Sequence, residues 1–374
     1  MFGKLGAASA ALVLATAATG AFAADRTVAV LQSLTGPAAF AGTAAVEGVK
    51  FAVDEVNATN FLGADKMKIF IDDDGTDRNQ TTTAINRYAR DPSILMVIGP
   101  TSAASALPAA AIANEQKLAI FSMTPASSVA KSGPYGFIAT QPAEATMPVL
   151  GQFMLNDLKL KNCALVSIID NEAYTLLTSN FRAYVEPRGM KFVDFAGVKS
   201  ADSDFSAIAT RIVQTKPECI FMVTTPEIGS NLTIQLKQAG LDPKVRLIGH
   251  TAFSSPALIK LGGAAVEGFI FYADWAPGGG TASAKAFAEA YKKAKGEEPG
   301  NFQAIGYNFV WVVAHAIKNA GPNPTRETVR NALAELKDVP TVLGSGKFTM
   351  VDRMPTYGVN WLTVKDGKVV PLPR

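Results

Sequence analysis

The sequence predicts an α/β protein made of two successive parallel sheets, each flanked by helices. Three observations lead there. Short β-rich apolar runs alternate with segments of helical apolar spacing over most of the chain. That alternation runs through once, pauses near residue 140 and runs through again. The length, 374 residues, exceeds a single domain of roughly 100–200 residues.

In the first series, residues 27–31, 67–71, 94–98 and 118–121 read as strands. Between them, residues 43–57, 81–88 and 106–115 read as helices; in the first, Val46, Val49, Ala52, Val53 and Val56 mark one apolar face. In the second series the strands are 164–169, 192–195, 219–223 and 245–248. The helices are 149–158, 176–186, 205–214 and 231–238. Breakers such as Lys216-Pro217 and Ala239-Gly240 separate them. Two long helices follow, 282–295 and 302–320, then a β-like tail over 346–349, 357–364 and 368–370. Lys365-Asp366-Gly367 reads as its hairpin turn. Two such sheets side by side place a cleft at the carboxyl ends of their strands, where open α/β folds hold ligands.

The first 23 residues stand apart. Lys4 is their only charge, residues 5–18 are apolar, and Ala21-Phe22-Ala23 is a small-x-small end. This is the form of a secretory leader cleaved before Ala24. The apolar run is short for a ~30 Å hydrocarbon core. No cysteine follows it to carry a lipid, so a freely diffusing exported protein is expected, without a membrane anchor.

Composition excludes several classes. The formal net charge is +3, which gives no basic stripe for nucleic acid. The two histidines, His250 and His315, provide no set of metal ligands. There is no Gly-x-Ser-x-Gly elbow, no Gly-x-x-x-x-Gly-Lys phosphate loop, and no Gly-x-Gly-x-x-Gly after a strand. Gly278-Gly279-Gly280 follows Pro277 and reads as a loop. Asp72-Asp73-Asp74 and Asp77, at a strand end before a helix, read as caps rather than acid–base pairs. No enzyme activity and no cofactor are expected. Cys163 and Cys219 each open an apolar run and read as small buried hydrophobes. A bridge is chemically open to an exported chain, but neighbouring parallel strands are awkward to bridge.

Several stretches in this order resemble the periplasmic branched-chain amino acid (Leu/Ile/Val) binding proteins of ABC importers. The first loop is Leu34-Thr35-Gly36-Pro37-Ala38-Ala39-Phe40-Ala41-Gly42, and its helix contains Asp54-Glu55-Val56-Asn57. Two further loops are Ile98-Gly99-Pro100-Thr101-Ser102 and Phe121-Ser122-Met123-Thr124-Pro125-Ala126-Ser127-Ser128; a late helix spans 302–321.

The resemblance implies a type I periplasmic binding fold, with two lobes and a three-strand hinge. The N-terminal lobe would take 24–140 and 274–355, and the C-terminal lobe 141–273 and 356–374. It implies capture of a small carboxylate ligand in the periplasm, closure of the lobes, and delivery to an ABC permease. A ligand sensor for a membrane receptor and a two-lobed hydrolase are the competing readings.

Carried over residue by residue, Ser128 falls on the family's hydroxyl and Ala126 on a backbone N–H donor. The family's earlier serine falls on Ala103, so Ser102, Thr101 or Ser105 would substitute. Tyr174 matches a cleft tyrosine of the second lobe. The family's second-lobe tyrosine falls on Thr224, and its ammonium-binding acid falls on Thr251. Either Glu144, Glu227 or Asp170 then takes the ammonium, or the ligand has none and is an aromatic or 2-oxo acid. His250 would be a donor to a ligand oxygen, and Phe40 and Trp275 apolar walls.

Overall fold

The computed structural model describes residues 23–277 and 280–373. The expected leader therefore lies outside the described residues except for Ala23, as do Gly278 and Gly279.

The first sheet contains β1 (Asp25–Gln32), β2 (Lys66–Asp73), β3 (Ile94–Ile98), β4 (Ile120–Ser122) and β5 (Gly136–Ile138). All are parallel, in the order β2-β1-β3-β4-β5. The second contains β6 (Asn162–Ile168), β7 (Lys191–Val198), β8 (Cys219–Val223), β9 (Arg246–Gly249) and β10 (Ile270–Ala273). A small antiparallel group follows: β11 (Val339–Pro340), β12 (Lys347–Val351) and β13 (Met354–Thr356). The tail hairpin, β14 (Asn360–Lys365) and β15 (Lys368–Pro371), then returns to the second sheet. Its order is β15-β14-β10-β9-β8-β6-β7, and the hairpin lies antiparallel to β10. The second sheet is thus mixed at one edge rather than wholly parallel.

Burial explains the elements. Ile94–Ile98 and Cys219–Val223 are buried along their whole length, as strands covered on both faces must be. The helix Ala39–Ala58 packs against Asn301–Asn319 in the largest core, so the late helices belong with the first sheet. Glycines permit that approach. A Cβ on Gly48 would lie 1.9 Å from the Gln303 carbonyl oxygen, and one on Gly306 1.9 Å from that of Ala45. The expected helix 149–158 begins earlier, as Ala143–Gln152 with a π turn at Phe153–Asp157; Pro148 sits inside it. The helix expected to start at residue 231 begins at Pro226, behind a Thr225 cap.

Among the described residues no helix is long and apolar enough to cross a membrane, and no cluster of metal ligands occurs. The acidic run fastens loops. Asp77 caps Arg78–Ala89 through the amides of Asn79 and Gln80. Against the opposing effect of burial, the Thr35 hydroxyl and the amides of Gly75, Leu34 and Thr35, all donating to Asp73, hold its carboxyl below the usual range.

The pairing that the sequence leaves open is formed. Cys163 and Cys219 are disulfide-bonded. They are directly paired across β6 and β8, both fully buried, with Cα atoms 4.6 Å apart. That spacing lies within the range a bridge spans. Register placed the two side chains on the same face at the same level, which the apolar runs alone did not reveal.

The chain passes between the sheets three times, near residues 139–142, 274–277 and 357–359. Hydrogen bonds tie these crossings together. The Gln141 amide donates to the Gly358 carbonyl (3.0 Å) and accepts from the Gly358 N–H (3.1 Å). The Tyr357 hydroxyl donates to Asp274 (2.9 Å), and Asn360 donates to the Asp274 carbonyl (3.1 Å).

Candidate ligand-binding site

Each sheet reverses its strand order once, between β1 and β3 in the first and between β6 and β8 in the second. The loops leaving the carboxyl ends of these strands spread apart there and leave room for a ligand. The two openings face each other, and the space between them is the cavity.

The first-sheet wall comes from Pro37 and Ala38 after β1 with Phe40 in the first turn of the helix that follows, from Thr101 and Ser102 after β3 with Ala103 opening the next helix, and from the loop after β4 (Met123, Thr124, Pro125). It supplies hydrogen-bond donors. Ser102 caps Ala103–Gln116, and its oxygen accepts from the Ser105 N–H at 3.2 Å, which leaves its O–H free to donate. Thr124 accepts from the Ala126 N–H (3.2 Å), leaving its hydroxyl proton free in the same way. The Thr140 hydroxyl, on the first crossing, is buried without a partner. The first N–H groups of the helix after Ser102 lack acceptors within it. Phe40, Phe302 and Ile305 form the apolar part.

The second-sheet wall comes from Asn171 after β6 with Ala173 and Tyr174 in the first turn of the helix Glu172–Val185, and from the segments after β8 (Thr225), β9 (His250, Thr251, Ala252) and β10 (Asp274). Tyr174 meets the His250 ring edge-on, with centroids 5.6 Å apart. His250 Nε2 lies 3.0 Å from the Thr224 carbonyl oxygen, and burial pushes the ring pKa down to about 4. The ring is therefore neutral near pH 7. Tyr174 is half-buried, and its desolvation, with the charge of Glu227, raises its hydroxyl pKa above the ordinary value. Among the described lining residues there is no Lys or Arg, and Asp274 is the one carboxylate.

The cavity thus brings together Phe40, Ser102, Ala103, Tyr174, His250 and Thr251 from the residues singled out in the sequence. Ala126, Ser128, Thr224 and Trp275 are not among its lining. The Ala126 N–H is already given to Thr124. Ser128 lies on the short helix Ser127–Lys131 with its Oγ buried and unpartnered. Thr224 stands behind the wall, and its carbonyl holds His250. Trp275 is 2% exposed and packs edge-on against Phe287 in the first core.

The three acids expected near the amine end also lie elsewhere. Glu144 is bonded to Ser127 and pairs with Lys131 (3.3 Å). Asp170 accepts from Ser200 (2.8 Å), and Glu227 lines a neighbouring groove. Sequence reasoning missed Asp274, Tyr272, Thr140 and Gln141, all on or beside the crossings. For Asp274 the available signal was its place at the end of the apolar run 269–273.

Comparisons with known proteins agree with this arrangement. The profile of the periplasmic binding protein family matches residues 26–368. The Leu/Ile/Val-binding protein BraC3 of Rhizobium johnstonii is 28% identical over 355 residues, covering 93% of this chain and 94% of its own. The crystal structure of a leucine-binding protein from Thermotoga maritima superposes with a TM-score of 0.84 at 23% identity, over 93% of this chain and 97% of that one. A solute-binding protein of Rhodopseudomonas palustris, solved with 3,4-dihydroxybenzoic acid, has a TM-score of 0.82 at 20% identity, over 93% and 96%. The same fold is thus seen in a leucine-binding protein and in one holding an aromatic acid, so fold alone does not choose the ligand. With two lobes, three crossings, a shared cleft and a family profile spanning nearly its whole length, this chain belongs to the periplasmic binding protein family.

Proposed function

We propose that this protein is the solute-binding component of an ABC importer and captures a small aliphatic α-amino acid of the branched-chain class. The observation that carries this reading is the composition of the cavity: apolar side walls, neutral donors on one side and no cationic side chain among its described lining residues. A carboxylate held by hydroxyls and backbone N–H groups needs no Lys or Arg. Phe40, Met123, Phe302 and Ile305 suit a short apolar side chain. The names of the relatives point to the same ligand class.

The lobes, bounded at 24–140 with 274–355 and at 141–273 with 356–374, close over the ligand by a hinge motion, and the closed form docks on the permease. Residues 1–23 direct export and are removed, which leaves the protein free in the periplasm. The disulfide supports an oxidising compartment. Ser102, Ala103, Tyr174, His250 and Thr251 are the ligand contacts from the cavity lining.

A thermal-shift panel tests the reading. It compares leucine, isoleucine and valine with aromatic amino acids, 3,4-dihydroxybenzoate and 2-oxo acids. A branched-chain amino acid binding at ~μM, about −8 kcal/mol, should raise the melting temperature more than the other compounds. A shift with the aromatic or 2-oxo acids alone would reject the amino acid in favour of a ligand without an ammonium group.

A further inference from the structure

We propose that Asp274 is the counter-ion for the ligand's ammonium group, with the His250 imidazole as a second acceptor lining the same cavity. This assignment rests on reading the cavity as an α-amino acid site, and it moves the ammonium partner off position 251, where the family resemblance expects it.

Asp274 follows β10, where the chain crosses back to the first lobe. It is 3% exposed and lines the cavity. The Tyr357 hydroxyl donates to its Oδ1 at 2.9 Å, and the Thr251 hydroxyl to its Oδ2 at 3.1 Å. Both donors are neutral. Among the described residues no cationic side chain pairs with it. A carboxylate offers about four acceptor sites, so capacity remains. Burial without a cation is costly for the charged form, and it raises the Asp274 pKa above the usual carboxylate range. A ligand that brings its own cation turns that cost into an ion pair.

His250 adds an independent observation. Its Nε2 faces the Thr224 carbonyl, which can only accept, so in the neutral ring the proton sits on Nε2. Nδ1 is then a lone-pair acceptor, and it is buried without a partner. His250 itself is 3% exposed. This side of the cavity therefore presents one unpartnered acceptor, His250 Nδ1, and a carboxylate bonded by neutral donors, and an ammonium offers three donors. A ligand lacking the amine would leave Nδ1 without a donor and Asp274 without a cation, and would set its carboxylate in one cavity with Asp274.

Titration calorimetry on the purified protein tests this with leucine, 4-methylpentanoate and 4-methyl-2-oxopentanoate, on the wild type and Asp274→Asn. The substitution keeps the shape and an oxygen for Tyr357 but removes the charge. Leucine affinity should fall at least about 100-fold while the two amine-free acids bind as well as before or better. Leucine affinity kept within about 3-fold overturns the assignment, as does an equal loss for all three ligands. A wild type that binds the amine-free acids but no amino acid overturns the amino-acid reading itself, and this assignment with it.

A measurement on the wild type alone guards against a variant that fails to fold. The titratable groups facing Asp274 are Tyr272 and Tyr357, both shifted upward by burial, and His250 stands in the same wall. Leucine binding, followed in buffers of different ionisation enthalpy, should release protons in a window above the ordinary carboxylate range, where the buried Asp274 still holds its proton, and 4-methylpentanoate should not. No release with leucine anywhere in that window overturns the assignment.

Discussion

The two walls of the cleft are built alike and offer opposite things. Each stands at the carboxyl ends of parallel strands, at the place where its sheet reverses direction. The first-lobe wall presents donors: the hydroxyls of Ser102 and Thr124 and the start of the helix Ala103–Gln116, with the Thr140 hydroxyl on the adjoining crossing. The second-sheet side presents acceptors: His250 Nδ1, with the Asp274 carboxylate on the adjoining crossing. A ligand that satisfies both is negative at one end and positive at the other. Polarity is thus divided between the two sides of the cleft, so under the proposed amino-acid reading a bound ligand would bridge both sides and favour the closed form. The lobes also differ in how they are held. The first relies on helices notched by Gly48 and Gly306, whereas the second carries the covalent Cys163–Cys219 link.

The largest expected effect breaks that last contrast. The bridge spans a sequence separation of 56, for which chain entropy gives about 4 kcal/mol as an upper figure. Cys163→Ser with Cys219→Ser should lower the stability of the second lobe and leave the first lobe's hydrogen-exchange protection unchanged. Equal loss of protection in both lobes would show that they unfold as one unit.

The next effect concerns the acceptor wall. The folded His250 pKa is about 4 against an unfolded 6.5. The stability this contributes is fully present above pH 6.5 and is lost as pH falls toward 4, up to about 3 kcal/mol. The melting temperature of His250→Gln should therefore fall less between pH 7 and pH 4.5 than that of the wild type. Parallel pH curves would remove His250 from the acid response.

The smallest expected effect lies on the donor wall. Ser102→Ala loses the cap of Ala103–Gln116, worth about 1 kcal/mol, together with one hydroxyl facing the cavity. It should weaken the binding of leucine and of amine-free acids alike, because both present a carboxylate to this wall. Selective loss of leucine alone would contradict the division of roles. Ser128→Ala, one layer back, provides the comparison variant.

Much of the fold was legible because buried strands write themselves as apolar runs. Ile94–Ile98 and Cys219–Val223 are bounded in the sequence as they are in the structure. Gly136–Ile138 escaped because three residues carry no period. Ile270–Ala273 was legible and was passed over, and Asp274 was lost with it. The loop residues Phe40, Ser102, Tyr174 and His250 could be located from strand ends and family likeness. The amine end could not, because a lone acid between Ala273 and Trp275 belongs to no motif, and its burial comes from chains that cross there only in three dimensions. The disulfide escaped for a related reason: pairing register is a property of two strands, and neither strand states it alone.

Trp275 follows Asp274 directly on the second crossing. It is almost wholly buried, and its indole N–H has no partner. The other two tryptophans are differently placed: Trp311 against Phe61 and His315, and Trp361 stacked on Phe153. An indole in a dry setting emits according to the field around it. The crossing residue beside the buried acid is therefore a built-in optical reporter, reading the charge state of the cleft without any added label.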